Sequence, residues 1–407
     1  MSRIKLGQRY SSIQKRTGVN PQKFHGVVRD LASDGRGIVL HPSGLTVFVG
    51  GVWPGEEGLF RIIRSKNRWA EGDLLELTQA SPQRVTPFCT HHGFADGQCG
   101  ACPWQFIAYN AQLRAKQQRV TNELGKISAC VVNDIIPSPV QQEYRVRAQL
   151  KTDGNQIGFV SANSNSLAPV KDCAVLSPTN RSTLKTLLQQ LPQSQWRPQH
   201  KNRWITLDID EDTGANAVSV NKRLPFQQSH QQQNLRMQQW LAQQSELIIK
   251  QHGCIDNALE LFCGSGNFTR TLSDTKIVQI VAVDVAQEAI DTLNQRQLPG
   301  VTALARDLFA DGALEKLLRE QPLLLQAYSL LVLDPPREGC KNIADLFQGK
   351  KRFESILYIS CDLATFCRDV TVCQQRGYQL QEVQPIDTAP HTPHIELLAR
   401  LDYDEKH

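Results

Sequence analysis

At 407 residues and 40% hydrophobic side chains, the chain has material for two or three domains, each with its own core. No apolar run approaches the length of a membrane-crossing helix, and the net charge of +5 admits an anionic partner without requiring one. Eleven cysteines with no apolar leader argue against a secreted disulfide scaffold. They point to a reducing, cytoplasmic setting in which thiols serve chemistry or metal.

The chain opens with Arg3, Lys5, Arg9, Lys15, Arg16, Lys23 and Arg29, all ahead of the first acid, Asp30. Such a start has the composition of a mitochondrial transit peptide. Because it runs straight into structured-looking sequence, a basic arm that touches RNA is the preferred reading. From Phe24 to Gln79, five short apolar runs follow: Val27-Val28, Gly37–Leu40, Leu45–Val49, Leu59–Ile63 and Leu74–Leu77. Turn signals at Asp34-Gly35, Pro42-Ser43-Gly44 and Pro54-Gly55 separate them, which predicts a small barrel of the oligonucleotide-binding (OB) type. Arg61, Arg64, Lys66 and Arg68 beside Trp69 place basic side chains next to an aromatic, as on RNA-binding surfaces. The run Val47-Phe48-Val49-Gly50-Gly51-Val52-Trp53-Pro54-Gly55-Glu56 resembles the TRAM domain, a barrel attached to RNA-modifying enzymes.

After Ser81-Pro82 come Cys89, Cys99 and Cys102, spaced C-x9-C-x2-C, and then Cys173 after a gap of 70 residues. Four thiolates suit zinc or an iron–sulfur cluster. Gly93, Gly97 and Gly100 let the chain wrap such a centre, and His91 and His92 keep zinc open. Trp104 to Leu124 has helical spacing. Glu143 to Val170 reads as strands, with Arg145, Arg147 and Lys151 on one face. Trp204 to Val220 reads as a hairpin turning at Asp212-Thr213-Gly214. Gln227 to Gln239 is glutamine-biased and is read as local composition.

From Asn257 the pattern alternates strand and helix. Strands are expected at Ala258–Phe262, Ile277–Val283, Val301–Leu304, Tyr328–Leu333 and Ser355–Ser360, with an edge hairpin at Val383–Ile386 and Ile395–Leu401. This predicts a doubly wound α/β domain. Cys263-Gly264-Ser265-Gly266-Asn267 makes a tight turn, and Asp284 follows Gly264 by 20 residues. That geometry suits an adenosine cofactor. The third glycine of the pyrophosphate fingerprint is missing, which disfavours NAD and suits S-adenosylmethionine. Asp334-Pro335-Pro336-Arg337 sets a carboxylate and a rigid turn at the sheet mouth. Cys361 ends an apolar strand just before a helix, where a thiolate is favoured.

The motifs Leu259–Thr269, Leu333–Gly339, Tyr358–Cys361, Thr365–Asp369 and His391–Glu396 together resemble the RNA 5-methyluridine methyltransferases. With the barrel and the four cysteines, the likeness extends to the ribosomal RNA uracil-5 methyltransferases that carry a TRAM domain and a [4Fe–4S] cluster. It covers Phe24 to Leu401. The resemblance implies a Rossmann-like catalytic domain (226–407), a mainly β central domain with the cluster (83–225) and a TRAM barrel (22–82). It implies a nucleophile at Cys361 and a base at Glu396. It implies an S-adenosylmethionine site at Gln228, Phe262, Asn267, Asp284, Asp307 and Asp334, and a cluster on Cys89, Cys99, Cys102 and Cys173. The expected partner is RNA, ribosomal first and transfer RNA second; the expected state is a monomer with no membrane association.

The chain departs from the family at Asp362-Leu363, where Asn-Pro is usual, at Asp307, where some members have Asn, and at His230, where Asn is usual. Cys99–Trp104 is close to the family's pattern without matching it. The carboxylate of Asp362 beside the nucleophile would disfavour the thiolate unless it is paired. It motivates an alternative: a non-catalytic RNA binder on a methyltransferase scaffold.

Overall fold

A computed structural model of the chain describes residues 22–404 apart from 163, 165, 200–201, 213, 215–217, 223–226, 326–327 and 348–352. The N-terminal basic arm lies outside the described residues, apart from Lys23 and Arg29; so do Thr213 and Ala217 of the expected hairpin. The chain divides into two compact units. One comprises the chain through Gln112 with Ala148–Lys222 and Pro390–Pro393; the other comprises Leu113–Arg147, Arg223–Ala389 and the chain from His394.

In the first unit, β1 (Lys23–Leu31), β2 (Gly37–Leu40), β3 (Thr46–Val49), β4 (Glu57–Ser65) and β5 (Trp69–Gln79) close into a barrel in the order β1-β2-β3-β5-β4. The pleat sends alternate residues inward. Phe24, Val28, Val39, Val47, Val49, Phe60, Ile62 and Ala70 fill the interior, and closure leaves no exposed sheet edge. This is the expected OB-like barrel.

The helical periodicity that begins at Trp104 becomes helix only in α1 (Tyr109–Leu124). Trp104 is committed elsewhere: its backbone N–H donates to His391 O (2.9 Å) and its indole N–H to Gly35 O (2.9 Å). After the short β6 (Val131–Val132) come β7 (Arg147–Thr152), β8 (Ile157–Val160), β9 (Leu167–Pro169), α2 (Pro178–Gln189), β10 (Ile205–Asp210) and β11 (Ser219–Val220). They form a sheet in the order β11-β10-β7-β8-β9, with Leu184 and Leu187 of α2 packed on its core. On the basic face, Arg147 is buried and Lys151 donates to Thr206 Oγ1 (2.7 Å).

The second unit holds one helix that composition concealed, α3 (Gln231–His252). Its buried face includes Gln233, Met237, Trp240, Leu241, Gln244 and Ile248, a helical spacing in which glutamines stand where apolar residues are usual. Each buried glutamine is bonded: Gln233 Nε2 donates to Asp387 O (2.7 Å) and Gln244 Nε2 to Glu382 Oε1 (2.6 Å).

Then come β12 (Asn257–Leu261), α4 (Asn267–Ser273), β13 (Gln279–Asp284), α5 (Gln287–Gln295), β14 (Val301–Ala305), α6 (Ala313–Glu320), β15 (Ser329–Leu333), β16 (Ser355–Ser360), α7 (Leu363–Gln374), β17 (Tyr378–Ile386) and β18 (Glu396–Tyr403). The sheet order is β14-β13-β12-β15-β16-β18-β17-β6. The strands from β14 to β16 are parallel, and β18 is antiparallel to both neighbours. Every residue of β12, β15 and β16 is buried, as covering both faces of a parallel sheet demands. The order reverses between β12 and β15, where open α/β sheets place their ligands. Val120 and Leu124 of α1 belong to this core.

Candidate active site

Strand register assembles the site. Leu261 pairs with Val283 and with Leu333, so the next residues, Phe262, Asp284 and Asp334, stand in one row at the carboxyl edge. Ser360 pairs with Leu397 in an antiparallel ladder. One step further, that register sets Cys361 opposite Glu396, residues 35 positions apart in sequence.

The Cys263–Asn267 turn is held open by backbone chemistry. Phe262 sits at φ 65, a left-handed conformation costly for a bulky residue and common at functional sites. Gly264 N–H donates to Asp284 Oδ2 (2.9 Å), while Ala286 N–H donates to Asp284 Oδ1 (2.9 Å). A Cβ built on Gly264 would meet nothing within 4 Å among the described residues, so the turn faces open space. Gly266, at φ 89, is packed: a Cβ there would stand 2.5 Å from Leu293 Cδ1.

Asn267 and Asn234 exchange amide hydrogen bonds (2.8 and 2.9 Å), and Gln238 Nε2 donates to Asn267 Oδ1 (3.0 Å). Asn267 thus ties the turn to α3. Asp307 is exposed and Oδ1 accepts from Phe309 N–H (2.9 Å). The Phe309 ring lies 5.7 Å from that of Phe262; an aromatic two places after Asp307 was the signal for it in the sequence. Gln228 is half-buried and precedes His230, which caps α3. The His230 ring accepts from Gln233 N–H (3.4 Å), meets Ser138 Oγ (2.7 Å) and stacks on Tyr144 at 4.7 Å. In this chain a histidine fills a cap position where the family's asparagine is the commoner cap residue.

Electrostatics couple the row to the thiol. Burial first, then Glu396 and Asp334, push the Cys361 thiol up to about 12, against the pull of Arg337. Burial, reinforced by Asp334 and opposed by Arg337, lifts Glu396 to about 8. Burial and Asp284 lift Asp334 to about 7. Asp362 is the N-cap of α7 and accepts from Thr365 N–H (2.9 Å). Aspartate caps a helix as well as asparagine does, and it ranks last among the influences on Cys361.

Three groups stand here that the sequence reading gave no role. Arg337 faces both Cys361 and Glu396 and reaches His394 Nε2 (3.3 Å). Glu260, the one charge in an apolar strand, is buried; its carboxyl stands beside the Thr269 hydroxyl and N–H, but no bond of ordinary geometry reaches either oxygen among the described residues. Lys116 and Asp387 form a fully buried ion pair (2.7 Å), with Lys116 Nζ also donating to Ala389 O (3.2 Å). Nothing local in the sequence marks that pair.

Cys89, Cys99, Cys102 and Cys173 converge on one cavity that His92 and Gln105 also line. Gln105 Oε1 accepts from Cys89 N–H (3.2 Å), Cys99 N–H donates to His91 O (2.8 Å), and Gly100 packs on Ala162 too closely for any side chain. Burial, with smaller contributions from Cys173 and Cys89, pushes the Cys99 thiol up to about 11. His91 accepts from Lys171 N–H (3.2 Å), and burial takes His92 down to about 4. Among the described residues, no three His, Cys, Asp or Glu side chains are arranged to hold a single ion.

On the barrel, Arg61 pairs with Asp73 (2.9 Å) and Arg64 with Glu71 (3.8 Å), while Lys66 Nζ lies over the Trp69 ring at 4.7 Å. No described helix is long and apolar enough to cross a membrane.

Known proteins share this architecture. The tRNA (uracil-5-)-methyltransferase family model matches residues 205–402. An RNA methyltransferase of Nitrosomonas europaea is 38% identical over 384 residues, spanning 92% of this chain and 96% of its own. The 23S rRNA (uracil(1939)-C(5))-methyltransferase RlmD of Shewanella frigidimarina is 29% identical, spanning 90% of this chain and 93% of its own. The solved tRNA (uracil-54, C5)-methyltransferase of Pyrococcus abyssi, in complex with S-adenosyl-L-homocysteine, has the same fold: TM-score 0.66 at 20% identity, covering 93% of this chain and 100% of that one. By sequence over nearly its whole length, and by fold, the chain belongs to the RNA 5-methyluridine methyltransferases, enzymes that methylate uracil C5 in RNA at the expense of S-adenosylmethionine.

Proposed function

We propose that this enzyme methylates a uridine of large-subunit ribosomal RNA by covalent catalysis at Cys361. The observation that carries the mechanism is the β16–β18 register, which puts a thiol and a carboxyl face to face at the sheet mouth. The Cys361 thiolate adds to carbon 6, and the π electrons of the C5–C6 bond move toward O4 as an enolate. S-adenosylmethionine supplies the methyl group that carbon 5 then takes. Glu396 accepts the carbon-5 proton; the freed electron pair rebuilds the C5–C6 double bond and expels the thiolate. A carboxyl raised to about 8 is a stronger base than an ordinary glutamate, as this step needs. Arg337 and the start of α7 favour the thiolate. Such chemistry requires the target base flipped out of its RNA fold.

Gln228, Phe262, Asp284, Asp307 and Asp334 surround the cofactor in this reading, with Asn267 fixing the turn beneath it. Cys89, Cys99, Cys102 and Cys173 are the residues that would hold a [4Fe–4S] cluster, through their thiolates. Four thiols lining one cavity support a shared metal centre, and the resemblance to cluster-bearing relatives favours a cluster over zinc. A bound cluster would add folding energy across the long gap between Cys102 and Cys173. Residues 22–82 act as a TRAM barrel presenting Lys66 and Trp69 to RNA, 83–225 carry the cluster, and 226–407 carry the chemistry. Similarity to RlmD over nearly the whole chain favours ribosomal over transfer RNA. Incubation with 5-fluorouridine RNA tests the mechanism: a denaturing gel should show a covalent adduct that Cys361→Ala lacks. Methyl transfer by folded Cys361→Ala would refute it. Loss of 5-methyluridine from transfer RNA but not ribosomal RNA in a strain lacking the gene would reassign the substrate.

A further inference from the structure

The loop Asp334–Cys340 carries Asp334 and Arg337, and α7 begins just after Cys361. The second turn of α7 grips that loop. Asp369 is buried. Its Oδ2 accepts from Cys340 N–H (2.7 Å) and from the Tyr358 hydroxyl (2.6 Å), and its Oδ1 accepts from Arg368 Nε (2.8 Å). Arg368 Nη2 donates to Glu338 O (2.9 Å), and the Thr365 hydroxyl lies 3.1 Å from Arg337 O. Gly339, at φ 68, nests between them: a Cβ there would fall 2.5 Å from Asp369 Oδ2 and 2.6 Å from Arg368 Nη2. Tyr358 lies on β16, the strand that delivers Cys361. One carboxylate therefore joins the nucleophile's strand to the loop that carries the cation beside it.

We propose that Arg368 and Asp369 are positioning residues that set Arg337 against the Cys361 thiol. Neither touches the reacting atoms; both act through the loop backbone. The charged groups facing Cys361 are Glu396 from β18, Asp334 and Arg337 from the loop, and Asp362 from α7. Of these only Arg337 favours the thiolate, so its placement sets how far burial and the carboxyls are counteracted. The Thr365–Asp369 motif thus acquires a function beyond helix formation. This inference rests on Cys361 being the nucleophile.

The test is the pH dependence of iodoacetamide alkylation at Cys361, followed by mass spectrometry of its peptide in the full-length protein. Arg337→Gln sets the scale, slowing alkylation at pH 8 by roughly threefold or more. Arg368→Ala and Asp369→Asn, each verified as folded by circular dichroism, should shift the profile to higher pH in the same sense, and Arg368→Lys should restore it in part. Arg368→Ala combined with Arg337→Gln should be no slower than Arg337→Gln alone. Wild-type profiles in both α7 variants, or additive slowing in the double variant, would overturn the clamp and leave Cys361 as nucleophile. Methyl transfer by Cys361→Ala would instead defeat the reading beneath it.

Discussion

Two buried glutamates, one in each unit, have opposite fates. Glu56, beside the barrel, is fully buried and accepts from Trp53 N–H (2.8 Å), Ser81 N–H (3.0 Å) and both Nε and Nη2 of Arg84 (2.5 and 2.8 Å). Glu260, under the Cys263–Asn267 turn, is equally buried, yet no bond of ordinary geometry reaches either oxygen among the described residues, and burial, only partly offset by the nearby Thr269, drives it up to about 8. A saturated carboxylate is an architectural part, because its desolvation is offset by charge-assisted bonds. An unsatisfied one is retained at a cost to stability, and such groups cluster where ligands or reacting atoms arrive. Asp334 and Glu396, nearby in the same sheet, are likewise held above the usual carboxyl range by burial and by a neighbouring aspartate.

The comparison can be sharpened first at Glu396. Glu396→Gln should leave methyl transfer possible but block proton removal, cutting turnover by about 10²–10⁴ and leaving a Cys361-dependent protein–RNA adduct on a denaturing gel. Normal turnover with no adduct would assign the base elsewhere. At Glu56 the expectation is reversed. Glu56→Ala strands buried donors and should cost about 3 kcal/mol in urea unfolding, without trapping any adduct. A neutral stability change there would erase the contrast.

The next effect is smaller and pH-borne. In the proposed mechanism, Glu396 must be ionised to accept the carbon-5 proton, so its ionisation sets the pH dependence where proton removal limits turnover. Turnover should therefore fall as pH drops through about 8, by up to tenfold per unit, and a rate flat from pH 6 to 9 would contradict the raised values. The smallest effect belongs to Glu260. Its folded value of about 8 stands above its ordinary 4.5, so the folded chain keeps a proton that the unfolded chain releases between those limits. Its contribution to stability is therefore present below the lower value and is lost as pH rises through the upper one. Glu260→Gln, a neutral mimic, should melt near the wild type at pH 5 and a few degrees above it at pH 9. Parallel melting curves at both pH values would show that Glu260 is ionised in the folded chain.

Much of this was legible in residues alone, for local reasons. Short β-branched runs between glycine turns specify the barrel, and apolar runs ending in Asp284, Asp334 and Cys361 specify parallel strands whose ends line the candidate site. Both signals are periodicities within a dozen residues. Helix α3 escaped because its buried face includes Gln233 and Gln244, bonded to Asp387 and Glu382, and no hydropathy pattern marks a satisfied glutamine.

The sequence by itself thus determined the fold class, the family and the candidate nucleophile, base and cofactor row. Tertiary structure alone decided how those groups act. The ladder between β16 and β18 faces Cys361 with Glu396; packing leaves Glu260 unsatisfied and Glu56 saturated; capping turns Asp362 into a helix terminus; α7 grips the Arg337 loop. Each depends on contacts between residues far apart in the chain, and on a local dielectric that burial creates only once the fold has closed.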